Sequence, residues 1–135
     1  MAKIPDRVKK LTKRPRVLAL ATSSKNGEPN VVPIWFGKVL SGDEFLLMAN
    51  FMKKTIKNIE VNPKVAISVW RTRGADEGYQ LKGNARIETS GNVFDDGVKW
   101  VKGEEPWLNP RAAVIVKVNS VYITTPGPDA GSKIG

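Results

Sequence analysis

Lys53, Lys54 and Thr55 follow the apolar run Glu44 to Ala49 and the connector Asn50-Phe51-Met52, and they precede a strand-like run, Val65 to Trp70. A helix starting between Asn50 and Lys53 would aim its unpaired N–H groups, the positive end of its dipole, two ammoniums and a hydroxyl at one spot. That arrangement binds phosphate. No glycine-rich loop accompanies it, so neither a Walker motif nor a dinucleotide fingerprint is present. The guest that fits is a phosphomonoester, such as the tail of a mononucleotide cofactor. On local pattern alone, two lysines on an exposed first turn more often only solvate a helix face.

The rest of the inventory narrows the chemistry further. The 135 residues include no cysteine and no histidine. Thiol nucleophiles, disulfides, Ser-His-Asp triads and the usual zinc sites are thereby removed, since each needs a thiolate or an imidazole. Carboxylate, lysine or tyrosine chemistry remains, or a cofactor that brings its own reactivity. A formal net charge of +9, from 22 Lys and Arg against 13 Asp and Glu, attracts polyanions and phosphorylated small molecules alike. The basic residues are spread along the chain except at Lys9-Lys10, Lys13-Arg14-Pro15-Arg16 and Lys53-Lys54. The N-terminal cluster reads as the solvated end of a helix whose Ile4, Val8 and Leu11 face the core. With no signal-peptide pattern and no apolar run of about eighteen residues, the chain is expected to be cytoplasmic, with no membrane partner.

The elements that would position these groups are mostly short strands. Val17 to Ser23 is followed by the turn Lys25-Asn26-Gly27-Glu28-Pro29 and a return strand from Asn30 to Leu40. Pro33 in that strand requires a place where no ladder N–H is needed, at an edge or a bulge. Ser41-Gly42-Asp43 turns the chain into Glu44 to Ala49, and the lysine helix ends before Asn62-Pro63. Lys64 to Trp70 and a long strand from Gly78 to Glu88, bent at Gly83, come next. A helix follows with Val93, Phe94, Val98 and Val101 on one face and Trp100 as a core residue. The final strand runs from Ala112 to Ile123. The fold class is mainly β: a six-stranded antiparallel barrel, closed or nearly so, with two or three short α-helices. Residues 1–125 form a single domain, and the Pro/Gly-rich tail 126–135 reads either as an unanchored end or as a cover over a bound ligand, with Ile134 as its anchor.

Taken in order, several segments resemble the flavin mononucleotide (FMN)-binding split-barrel family, related to pyridoxamine 5′-phosphate oxidase, and most closely the small FMN-binding proteins. They are Leu20-Ala21-Thr22, Asn26-Gly27-Glu28-Pro29, Val32-Pro33-Ile34-Trp35, Met52-Lys53-Lys54-Thr55 with Asn58 and Asn62-Pro63, Gly78 to Ala85, and Arg111-Ala112-Ala113-Val114. The resemblance implies a homodimer holding FMN non-covalently between subunits. It implies that Lys53, Lys54 and Thr55 bind the phosphate, that Val32, Pro33, Ile34, Trp35, Ala49 and Asn50 line the isoalloxazine ring, and that Gln80 adds a polar contact. Trp107 would shield the flavin, although it stands four residues before Arg111, a longer spacing than the family's.

The implied function is that of an oxidoreductase or electron-transfer flavoprotein whose redox partner is a small molecule or a protein. No side chain is required as a proton shuttle, and no metal is called for. Pyridoxamine phosphate oxidation itself fits less well, because histidine is absent and that activity needs a second phosphate pocket with substrate-positioning cations. Two alternatives stand beside this reading. One is a reductase binding a deazaflavin coenzyme in the same barrel. The other is a basic nucleic-acid-binding β-barrel, which accounts for the charge but not for lysines gathered at a helix start.

Overall fold

Burial alternates along most strands, as expected where one face of a sheet lines a core. The computed structural model describes residues 3–13 and 17–135; Arg14, Pro15 and Arg16 of the N-terminal basic cluster lie outside the described residues. The order of elements is α1 (Asp6–Thr12), β1 (Leu18–Ser23), β2 (Pro29–Ile34), β3 (Gly37–Val39), β4 (Glu44–Ala49), α2 (Lys54–Val61), β5 (Lys64–Arg71), β6 (Glu77–Glu88), α3 (Asn92–Glu104) and β7 (Ala112–Ile123). The strands form one sheet in the order β2-β1-β5-β6-β7-β4-β3, with every neighbouring pair antiparallel.

The two end strands of that sheet, β2 and β3, are consecutive in sequence and separated only by Trp35 and Phe36. Three residue steps from Ile34 to Gly37 reach at most about 10 Å. The sheet edges are therefore neighbours, and the sheet curls into a nearly closed barrel. The fold class stands as expected, with one correction: the strand expected from Asn30 to Leu40 is two strands, which makes seven rather than six. The chain leaves β1 as partner and joins β4 at this break, where the Met48 N–H donates to the Phe36 carbonyl at 2.9 Å. Gly37 directly after it sits close on the core, where a Cβ would stand 2.5 Å from Leu18 Cδ1 and push that side chain aside.

Pro33 occupies the edge option and not the bulge. The register of β1 on β2 is unbroken from Leu18 opposite Ile34 to Ser23 opposite Pro29. The bulge lies elsewhere, between Lys82 and Gly83. Any Cβ at Gly83 would overlap the Lys117 carbonyl, so the bend in β6 demands a glycine.

Leu18, Leu20, Phe45, Leu47, Ile67, Leu81, Val114 and Val116 fill the barrel interior, and Ile4, Val8 and Leu11 of α1 join the same cluster. Each such side chain contributes about 1.5–3 kcal/mol by leaving water. On the outer face of β4 and β7, Leu46, Met48, Ala113 and Ile115 pack with Phe36, Val101 and Leu108, and Val93, Phe94, Val98 and Trp100 of α3 lie against them. These two strands are buried on both faces, so they read as continuous apolar runs.

The C-terminal tail is anchored. Its residues turn back along the side of β7 opposite β6, with bonds from Ile123 N to Ser132 O at 2.9 Å, Gly131 N to Ile123 O at 2.8 Å and Ile134 N to Val121 O at 2.8 Å. Ile134 rests against the barrel core. Among the described residues, no helix is long and apolar enough to cross a membrane.

Candidate functional site

β4 ends at Ala49, whose carbonyl accepts from the Arg111 N–H at 2.8 Å. The chain then passes through Asn50 to Met52 into α2. Lys53 caps that helix without a side-chain hydrogen bond, and the first turn holds no acidic residue. Its free N–H groups therefore have no carboxylate beside them from their own first turn. Lys53 and Lys54 are exposed.

Thr55 is buried, and its hydroxyl is engaged within the chain. Asn30 Nδ2 donates to Thr55 Oγ1 and to Thr22 Oγ1, both at 3.1 Å, and Asn58 Nδ2 donates to Thr22 Oγ1 at 3.0 Å. This network ties the start of α2 to the β1–β2 hairpin. Thr22 and Asn30 were not legible as site-positioning residues, because their partners lie far along the chain. Asn58, one turn beyond Thr55, was the visible sign.

Beside the start of α2 lies a cavity of about 1310 Å³. Val32, Pro33, Ile34 and Trp35 at the end of β2 form one wall, together with Asn50, Phe51, Met52 and Trp107. Six expected residues therefore meet there: Val32, Pro33, Ile34, Trp35, Asn50 and Trp107. Ala49 is buried directly behind Asn50. Lys53, Lys54 and Thr55 follow Met52 along the chain but do not line the cavity. Gln80 lies between the inward Tyr79 and Leu81, so it projects from the outer face of β6, and it does not line this cavity.

Two features of this wall bear on chemistry. The first is Asn50 Oδ1, which is buried and accepts no hydrogen bond from the described residues. The second is an aromatic rim: Trp35 is 62% exposed, Phe51 76% and Trp107 68%. Phe51 and Trp107 stack at 6.4 Å with an interplanar angle of 30°, and Trp107 Nε1 donates to Glu105 Oε2 at 3.1 Å. Phe51 and Trp100 also line this cavity, although neither was expected to do so.

The perturbed titrating groups lie outside the cavity. Burial, with a hydrogen bond to Glu77 at 2.5 Å, pushes Tyr79 up to about 12. The Glu44 carboxylate, 2.7 Å away, raises Arg86 above the ordinary guanidinium value. Among the described residues, no cluster of side chains could hold a metal ion.

A model of the pyridoxamine 5′-phosphate oxidase family matches residues 4–125. The uncharacterized protein MJ0282 of Methanocaldococcus jannaschii is 38% identical over 120 residues, which is 87% of this chain and 79% of that protein. Among solved structures, Group A Streptococcus HupZ superposes with a TM-score of 0.80 at 28% identity, covering 95% of this chain and 99% of that one. An FMN-binding protein from Syntrophomonas wolfei reaches a TM-score of 0.80 at 16% identity, covering 87% of this chain and 84% of that one. The same fold occurs in the heme storage protein HutZ of Vibrio cholerae, with a TM-score of 0.66, and in an F420 reductase, with a TM-score of 0.67.

Proposed function

The chain belongs to the pyridoxamine 5′-phosphate oxidase family, and on that premise we propose that it is a flavoprotein holding FMN non-covalently at a homodimer interface and acting in electron transfer or as an oxidoreductase. The observation that carries this reading is Asn50. Its buried Oδ1 has no donor among the described residues, and leaving such an acceptor unpaired costs about 1–3 kcal/mol. The ring imide N–H of a flavin is a donor of the kind required. Close along the chain, α2 begins with an uncapped turn flanked by Lys53 and Lys54, suited to the phosphate of the same molecule. A polar ring contact and an anion site four residues apart fit a compact mononucleotide.

FMN, when bound, supplies hydride and single-electron chemistry. Lys53 and Lys54 offset the phosphate charge. The Asn30–Thr22–Thr55 network fixes the helix that presents them. Trp35, Phe51 and Trp107 exclude water from the ring once a second subunit covers them. Haem, which the Vibrio cholerae relative in fold stores, suits this chain poorly: it has no histidine and no cysteine, the commonest axial ligands. A deazaflavin coenzyme is the alternative cofactor, and it is tested in the same titration.

The experiment is a visible spectrum of purified protein before and after adding FMN, deazaflavin or haem and removing what stays free. Near-equimolar retained flavin supports the reading. A colourless protein that refuses FMN overturns it, and retention of deazaflavin instead replaces it.

A further inference from the structure

The cavity continues beyond the part assigned to the flavin. Its wall includes Ser41 and Gly42 as well as Asn50. These stand at opposite ends of β4, a strand of about 17 Å at 3.4 Å per residue. α1 is tied to the Ser41-Gly42 end by the Ile4 N–H donating to the Gly42 carbonyl at 2.7 Å. Lys9 and Lys13, one helical turn apart, line the cavity from α1, and Lys38 lines it from β3. Lys9 and Lys38 are half-buried, and Lys13 is exposed.

None of these three ammoniums forms an ion pair among the described residues, whereas Arg71, Arg86 and Lys117 all do. Lys38 instead sits over the Trp100 ring, 4.3 Å from its centroid. The carboxylates that line the same cavity, Glu104 and Glu105, come from the end of α3, and neither pairs with these lysines. Lys9 is thus a half-buried cation with no carboxylate partner among the described residues, while Lys38 has the face of Trp100. Between the lysines and Asn50 the wall is apolar, with Leu40, Phe36 and Trp100.

We propose that Lys9 and Lys13, assisted by Lys38, form an anion-anchoring subsite for the molecule that exchanges electrons with the bound cofactor. That molecule is a flat apolar organic compound carrying one carboxylate or phosphate. Its anionic group is held at α1 while its apolar body lies along β3 toward Asn50. The subsite rests on the FMN reading only for the partner to which it delivers its occupant.

The test uses 2-naphthoate and its neutral isostere 2-naphthamide as probes of FMN-loaded protein, read by tryptophan quenching and calorimetry. The wild type is expected to bind the carboxylate about tenfold more tightly than the amide, with the preference shrinking as salt rises. Lys9→Gln/Lys13→Gln abolishes the preference and leaves amide binding and FMN retention unchanged. Lys53→Gln/Lys54→Gln does the reverse, lowering FMN retention while keeping the preference. Equal binding of the two probes by the wild type, or a preference that survives Lys9→Gln/Lys13→Gln, overturns the proposal. If FMN is not retained but cofactor-free protein still shows the lysine-dependent preference, the FMN reading falls and the anion subsite stands.

Discussion

Asn50 is the side chain for which stability and function pull in opposite directions. A buried acceptor without a donor is a cost to the cofactor-free fold, and a gain only when a donor arrives. Asn50→Leu should therefore raise the melting stability of the cofactor-free protein by about 1 kcal/mol while weakening FMN binding about tenfold or more. Paired thermal melts and FMN titrations check this, and a destabilised cofactor-free protein would mark Asn50 as structural. Tyr79 gives a second prediction at this scale. Burial and Glu77 push its phenol from 10.0 up to about 12, so the folded protein holds the proton more tightly than the unfolded chain. Its contribution to stability is complete below pH 10 and is lost as pH rises from there through 12. Tyr79→Phe should flatten that alkaline loss in denaturant titrations, because no proton is then left to release.

At the scale of elements, the placement of the anion site depends on how firmly α2 is docked. Asn30 joins β2 to α2 and β1 through Thr55 and Thr22, and it lines no part of the cavity. Asn30→Ala should cost about 1–2 kcal/mol of stability by removing two hydrogen bonds and stranding the Thr55 hydroxyl, while Thr22 keeps the bond from Asn58. FMN affinity should fall with it although no proposed ligand contact is removed; unchanged affinity in a destabilised variant would detach the network from the site. Most elements were legible from sequence. Alternation marked the strands, Pro63 stopped α2, and Gly83 announced the bend in β6. The break between β2 and β3 was not legible, since Trp35 and Phe36 carry no turn signal and the chain bends there only because its pairing partner changes from β1 to β4. The tail was ambiguous for a similar reason. Backbone bonds to Val121 and Ile123 leave no mark on side-chain composition, and Ile134 was its one apolar clue.

At the scale of the whole molecule, the cavity shows why the site was only half legible. Val32 to Trp35 and Asn50 are close to the lysine helix in sequence or in a recognisable order. Lys9, Lys13 and Trp100 reach the same wall only because α1 and α3 pack on the curled sheet. That packing leaves one consequence for assembly. Trp35, Phe51 and Trp107 are each more than three-fifths exposed and share the rim of one cavity, which makes an apolar patch that a monomer has little reason to keep in water. Covering it with a second copy would gain about 25 cal/mol per Å² of apolar surface removed, and would enclose the flavin from the open side. The protein should therefore sediment as a dimer at micromolar concentration. Phe51→Glu/Trp107→Glu breaks the ring stack and places two charges in the contact; it should sediment as a monomer and lose FMN in parallel. A wild type that sediments as a monomer while retaining FMN would sink the shared site, leaving Trp35, Phe51 and Trp107 to shield the flavin from within one chain.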